Sequence, residues 1–133
     1  MPSIDAIELG PALATKLRKA RVRTTEALLK KGATRTGRKH LATATGLTEP
    51  QILEWVNRSD LMRVKGIGKE YVELLEAAGV DTLKELRSRK AVALHSKLLE
   101  LNNHKQLVRR LPTAAMVEIW VASAAKLEAI VKY

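Results

Sequence analysis

Apolar residues recur along this chain at helical spacing. Tyr71, Leu74, Leu75 and Ala78 fall at i, i+3, i+4 and i+7, as do Val117, Trp120, Val121 and Ala124, and Leu94, Leu98 and Leu101 mark another stripe. Such a set lines one face of an α-helix, which must be buried against a neighbour. No apolar–polar alternation runs long enough to predict a strand. The punctuation agrees with helices. Thr48-Glu49-Pro50-Gln51 and Thr82-Leu83-Lys84-Glu85 read as capping boxes, the first with an early proline. Gly32, Gly46 and Gly79 stand where helices should end. Pro112 breaks the chain before a last helix, for which Thr113 is the expected N-cap. The expected class is all-α.

The pattern also repeats. At a shift of 58 residues, Gly10 meets Gly68, Leu17 meets Leu75, Ala20 meets Ala78, Val22 meets Val80, Thr24 meets Thr82 and Leu28 meets Leu86. With a seven-residue insertion in the second copy, Trp55-Val56 meets Trp120-Val121. A duplication follows, with one copy at residues 1–58 and the other at 59–133. No Gly/Ser linker separates the copies, and Asn57-Arg58-Ser59-Asp60 reads as a helix boundary, so both are expected to share one core. Trp55 and Trp120 fall on apolar faces and read as core anchors rather than as platforms for stacked bases. Arg21 stands where the second copy has Gly79. If the turns are equivalent, Arg21 is left-handed at a cost of about 1 kcal/mol. A functional positive charge or a shifted turn would each account for it.

Composition sharpens this picture. The chain has 133 residues, enough for one compact domain, and 46% are hydrophobic, but aromatics are 3% and phenylalanine is absent. The core is therefore aliphatic. The absence of cysteine excludes disulfides, thiol catalysis and cysteine-ligated zinc, and suits a reducing cytoplasm. The first residues show no secretory signal, and no apolar stretch approaches the roughly 20 residues of a membrane span. A soluble, cytoplasmic protein is expected.

Charge brings in chemistry. The net charge is +10, which attracts polyanions. Lys16, Arg18, Lys19, Arg21, Arg23, Lys30, Lys31, Arg35, Arg38 and Lys39 form one basic stretch, opposed only by Glu26. A solvated face is the bland account of a charge run, but the local imbalance favours a surface that meets a polyanion. Basic surfaces also bind membranes; here loops and short helices replace the long amphipathic helix with bulky anchors that membranes favour.

The second chemical feature is Leu61-Met62-Arg63-Val64-Lys65-Gly66-Ile67-Gly68-Lys69. A short helix is expected to run into Gly-Ile-Gly, with an amphipathic helix after it. The glycines permit a tight reversal, and Ile67 points back to pin the two helices. Gly68 opens the second helix, whose first amides and dipole suit an anion, with Lys65 and Lys69 alongside. This segment resembles the helix-hairpin-helix family, whose hairpins carry hydrophobic-x-Gly-hydrophobic-Gly. The resemblance implies that the loop amides hold a DNA phosphate without base readout, and that paired hairpins straddle the minor groove. The layout also resembles an uncharacterised family of small bacterial proteins built on such hairpins, where Gly-x-Gly-Pro opens the chain and Gly-Ile-Gly follows. That second resemblance spans nearly the whole chain and implies no activity. The fold expected from it is two pseudo-symmetric helix-hairpin-helix repeats packed into one multi-helix domain.

The copies depart from that pattern in opposite ways. In Ile7-Glu8-Leu9-Gly10-Pro11, Glu8 replaces the first glycine and would repel phosphate, yet a basic helix follows with Lys16, Arg18 and Lys19. The second hairpin is intact, but its helix carries Glu70, Glu73 and Glu76. One phosphate at Gly66–Lys69 and a broader basic surface from Lys16 to Lys39 are therefore expected, rather than a symmetric clamp.

No enzyme signature accompanies these features. His40, His95 and His104 are not paired with another ligand at helical spacing, and the glutamates after Lys69 read as a salt-bridged face. No Walker-type or dinucleotide glycine loop is present. Some DNA glycosylases place a catalytic lysine two residues past the second hairpin glycine; Glu70 and Ala12 stand there. The expectation is a binding protein without metal or organic cofactor. Its ligand is nucleic acid, duplex DNA favoured, held non-specifically through phosphates by Gly10, Lys65, Gly66, Ile67, Gly68, Lys69 and the basic stretch. The alternative is an adaptor or oligomerising scaffold whose same basic face meets an acidic protein.

Overall fold

A computed structural model describes residue 4 and residues 11–133. The fold is all-α: α1 (Pro11–Lys19), α2 (Thr25–Lys31), α3 (Arg35–Thr45), α4 (Glu49–Leu61), α5 (Lys69–Ala77), α6 (Leu83–Ser88), α7 (Ala91–Lys105) and α8 (Ala114–Lys126). No strand occurs among the described residues. The chain divides into two compact units, Met1–Asp60 with Ala129–Tyr133, and Leu61–Glu128.

The helices recur with the shifts of the sequence. α1 and α5 are nine residues each and begin at Pro11 and Lys69; α4 and α8 are thirteen each and begin at Glu49 and Ala114. The inserted residues lengthen α7 relative to α3 and the segment that follows it. Caps recur as well. Thr24 accepts a hydrogen bond from the Ala27 amide at 3.0 Å, and Thr82 from the Glu85 amide at 3.0 Å. Thr48 accepts from the Gln51 amide at 3.2 Å while the Thr48 amide donates to Gln51 Oε1 at 3.1 Å, a complete capping box. Thr113 caps α8 through the Met116 amide. At Thr82 only half the box forms, because Glu85 Oε1 turns to Arg89 Nη2 at 2.9 Å.

The turn that ends α1 is repeated bond for bond at the end of α5. Arg21 and Val22 donate to the carbonyls of Arg18 and Leu17, and Gly79 and Val80 donate to those of Glu76 and Leu75, all at 2.9–3.0 Å. This is the Schellman closure, which needs one left-handed residue. Gly79 has φ +86 and Arg21 has φ +66, so the turns are equivalent and the arginine adopts a conformation that glycine takes without strain. A cation sits over each turn: Lys31 Nζ lies 3.5 Å from the Ala20 carbonyl and Arg89 Nη2 lies 3.5 Å from that of Gly79. Cations at helix C-termini are favoured by the helix dipole.

The cores are aliphatic. In the first unit Leu17, Val22, Leu28, Ile52 and Val56 are sealed from solvent. In the second, Leu74, Leu75, Leu86, Leu98, Val117 and Trp120 lie in one cluster, with α8 packed on α6 and α7. Trp55 and Trp120 are both buried, as core anchors should be.

Of three local expectations, two hold and one changes. Asn57-Arg58-Ser59-Asp60 stands at the end of α4, which closes one residue further on, at Leu61. Ser59 and Asp60 are buried, and the Ser59 hydroxyl donates to the Trp55 carbonyl at 2.9 Å, so these polar residues are accommodated inside the helix. No separate short helix precedes Gly-Ile-Gly; the hairpin is entered from the end of α4. Gly32 is the C-cap of α2, as expected, with φ −98, whereas Gly46 caps α3 in the left-handed region at φ +75.

Gly37, inside α3, is required for space. A β-carbon there would collide with the Lys31 carbonyl oxygen, a backbone atom that cannot swing aside. Gly37→Ala should destabilise the protein by about 2 kcal/mol despite alanine's better helix propensity. Urea unfolding checks this, and an unchanged midpoint would show that the backbone opens freely.

Candidate nucleic-acid interface

The second-unit hairpin is built from two tight turns. After Leu61 the Val64 amide donates to the Leu61 carbonyl, and the Ile67 amide donates to that of Val64, both at 3.1 Å. Gly66 takes φ +95, which reverses the chain. Val64 and Ile67 are buried, so the apolar positions hold the loop down while Lys65, Gly66, Gly68 and Lys69 are exposed. Gly68 is the N-cap of α5 in extended backbone and offers no side-chain acceptor to the first amides of that helix. Glu70 occupies the first turn, and its charge works against an anion there.

Behind this loop stands Trp120. A β-carbon on Gly66 would lie 3.3 Å from the indole Nε1, so any side chain larger than hydrogen presses on the ring. The indole packs on Tyr71 with centroids 5.1 Å apart, and the Tyr71 hydroxyl donates to the Arg110 carbonyl at 2.9 Å. The sequence indicated that Ile67 would pin the hairpin. It gave no sign that a tryptophan distant in the chain backs the glycine.

In the first unit, Gly10 and most of its hairpin lie outside the described residues. The basic stretch is described. Lys16, Arg18 and Lys19 occupy the last turns of α1, Arg21 the left-handed position beyond it, and Arg23 the link to α2. Lys30 and Lys31 end α2, Arg35 opens α3, and Lys39 follows one turn later. All nine are exposed. The Lys31 contact with Ala20 brings the end of α2 to the end of α1, so cations distant in sequence share one end of this helix pair.

Arg38 does not belong to that surface. It is 4% exposed, and its guanidinium donates to the carbonyls of Gly32 at 2.8 Å and Lys132 at 2.7 Å. The expectation that it contacts phosphate is corrected: both hydrogen bonds serve the interior of its own unit. Arg38, Leu41 and Thr45 lie at i, i+3 and i+7 and are all buried, a helical face visible in the spacing.

Among the described residues no three His, Cys, Asp or Glu side chains are grouped to hold a metal ion, and no helix is long and apolar enough to cross a membrane. A ring nitrogen of His95, Nε2, lies 3.0 Å from the Pro112 carbonyl, a structural contact.

Residues 8–127 fit the profile described as a domain of unknown function, DUF4332. No curated protein and no solved structure matches the chain.

Proposed function

The chain belongs to the DUF4332 family, and on that premise we propose that it is a non-enzymatic protein that binds nucleic acid, duplex DNA above all, through backbone phosphates and without reading sequence. The observation that carries this reading is the run of exposed cations from Lys16 to Lys39 opposed by the single acid Glu26. Such a surface pairs with the charge density of a duplex. Exposed aromatics for base stacking are scarce, since both tryptophans are buried, and this favours backbone contact over single-strand stacking.

The Gly66–Lys69 loop is a further contact in this reading. Its positive-φ glycine, buried isoleucine and helix-opening glycine accord with a helix-hairpin-helix element, and Lys65 and Lys69 flank it. A second such element around Gly10 would complete a pair.

Binding to a labelled duplex of random sequence and about 20 base pairs tests the reading, with affinity measured across a salt series. The logarithm of the binding constant should fall by about 0.9 per phosphate for each unit of log salt, and shuffled sequences should bind alike. Lys65→Glu with Lys69→Glu should weaken binding about tenfold, if the loop holds one phosphate. Failure to bind duplex even at low salt would refute the proposal and turn attention to an acidic protein on the same face.

A further inference from the structure

The turns that end α1 and α5 have the same backbone and opposite electrostatics. Where the second unit has Glu76, Gly79 and Asp81, the first has Arg18, Arg21 and Arg23. What the turn itself uses is common to both: the two closing hydrogen bonds, and one cation from the end of the next helix, Lys31 or Arg89. The second unit closes this turn without any of the three arginines, so the turn itself does not require them.

Arg21 is the sharpest case. It is exposed, and it occupies φ +66, a left-handed position where its counterpart is glycine. Among the described residues no hydrogen bond or ion pair of its side chain repays that strain. Strain held by a residue with no internal partner is typical of positions used to contact something else. Arginine is also the cation best suited to phosphate, because its planar fork donates two parallel hydrogen bonds.

We infer that the turn Arg18–Arg23 is the principal docking element for the nucleic-acid backbone, with Arg21 as its anchor, and that the matching turn of the second unit is a non-binding copy. This rests on the nucleic-acid reading above and narrows its main contact, the Lys16–Lys39 stretch, to one turn with one anchor. The reverse pairing of strain and charge makes an unusual prediction: Arg21→Gly improves stability and impairs binding.

The test compares wild type, Arg21→Gly and a control, Arg87→Gln, which removes one exposed charge from α6 of the second unit. Thermal melts should show Arg21→Gly raised by about 2–5 °C as the left-handed cost disappears. Its affinity for random duplex should fall about tenfold, and the salt slope should shrink by about one. Arg87→Gln should change binding little. If wild type binds in a salt-dependent way and Arg21→Gly binds equally well, the anchor role is refuted and the nucleic-acid reading survives. Equal losses in Arg21→Gly and Arg87→Gln would reduce the effect to general charge and also refute it. A melting temperature that does not rise removes the strain on which the inference stands. Absence of binding by wild type overturns both readings together.

Discussion

Reversing Arg18 and Lys19 to glutamate is expected to weaken binding to random duplex by about two orders of magnitude at low salt. Two phosphate contacts are lost, and two carboxylates are set against the backbone in their place. The net charge falls from +10 to about +6, since each reversal removes two units. The salt slope should shrink by about 1.8, because fewer counterions are released. Loss of fold would be the trivial cause of such an effect, and the second unit argues against it. Glu76 occupies the place of Arg18 there, and the Schellman turn closes at the same distances. The helix-dipole penalty for acids at the end of α1 should total about 1–2 kcal/mol, visible as a lower melting temperature but not as lost helix signal. A folded double variant that binds duplex as tightly as wild type would remove the basic turn from the interface.

Much of the fold was legible because its signals are local. The stripe Tyr71, Leu74, Leu75, Ala78 marks α5, Thr48, Thr82 and Thr113 stand at helix starts, and the matching Trp55 and Trp120 are both buried. The strained backbone at Arg21 was legible for a different reason: only alignment of the copies shows that glycine is the relaxed residue there. What escaped the sequence depends on contacts between distant segments. Gly37 lies in helical sequence with no cue that the Lys31 carbonyl passes against it. The run Asn57–Asp60 is polar and ends a helix as it should, yet its polarity gives no cue that Ser59 and Asp60 are buried there, with the Ser59 hydroxyl donating to the carbonyl of Trp55.

The candidate site was legible in charge but not in depth. Composition places Arg38 among ten cations, and nothing in a charge count separates a solvated arginine from a buried one. The separation comes from partners. Carbonyls of Gly32 and Lys132 converge on the Arg38 guanidinium, and one of them belongs to a segment 94 residues away. Lys31 shows an intermediate case: exposed, yet with its ammonium near the carbonyl end of α1. Arg38 and Lys31 therefore make contacts within the fold that their charge alone does not reveal.

The Arg38 contacts lead to the largest expected stability change. Arg38→Ala should destabilise the protein by about 2–4 kcal/mol. Two charge-assisted hydrogen bonds disappear, two carbonyls lose their donor, and a buried side chain leaves a cavity. The bonds do not stand alone. The Lys132 amide donates to the Ala33 carbonyl at 2.7 Å, and the Tyr133 hydroxyl donates to Asn57 Oδ1 at 2.6 Å, so Arg38 is one of several ties that hold the C-terminal residues within the first unit. Arg38→Lys should recover only part of the loss, because one ammonium lacks the fork that reaches both carbonyls. Removing Lys132 and Tyr133 should cost less in the Arg38→Ala background than in wild type, since part of what they contribute passes through the guanidinium. At a temperature where the variant remains folded, the salt slope of DNA binding should match wild type. A variant that melts like wild type but binds with a smaller slope would return Arg38 to the surface and overturn its structural assignment.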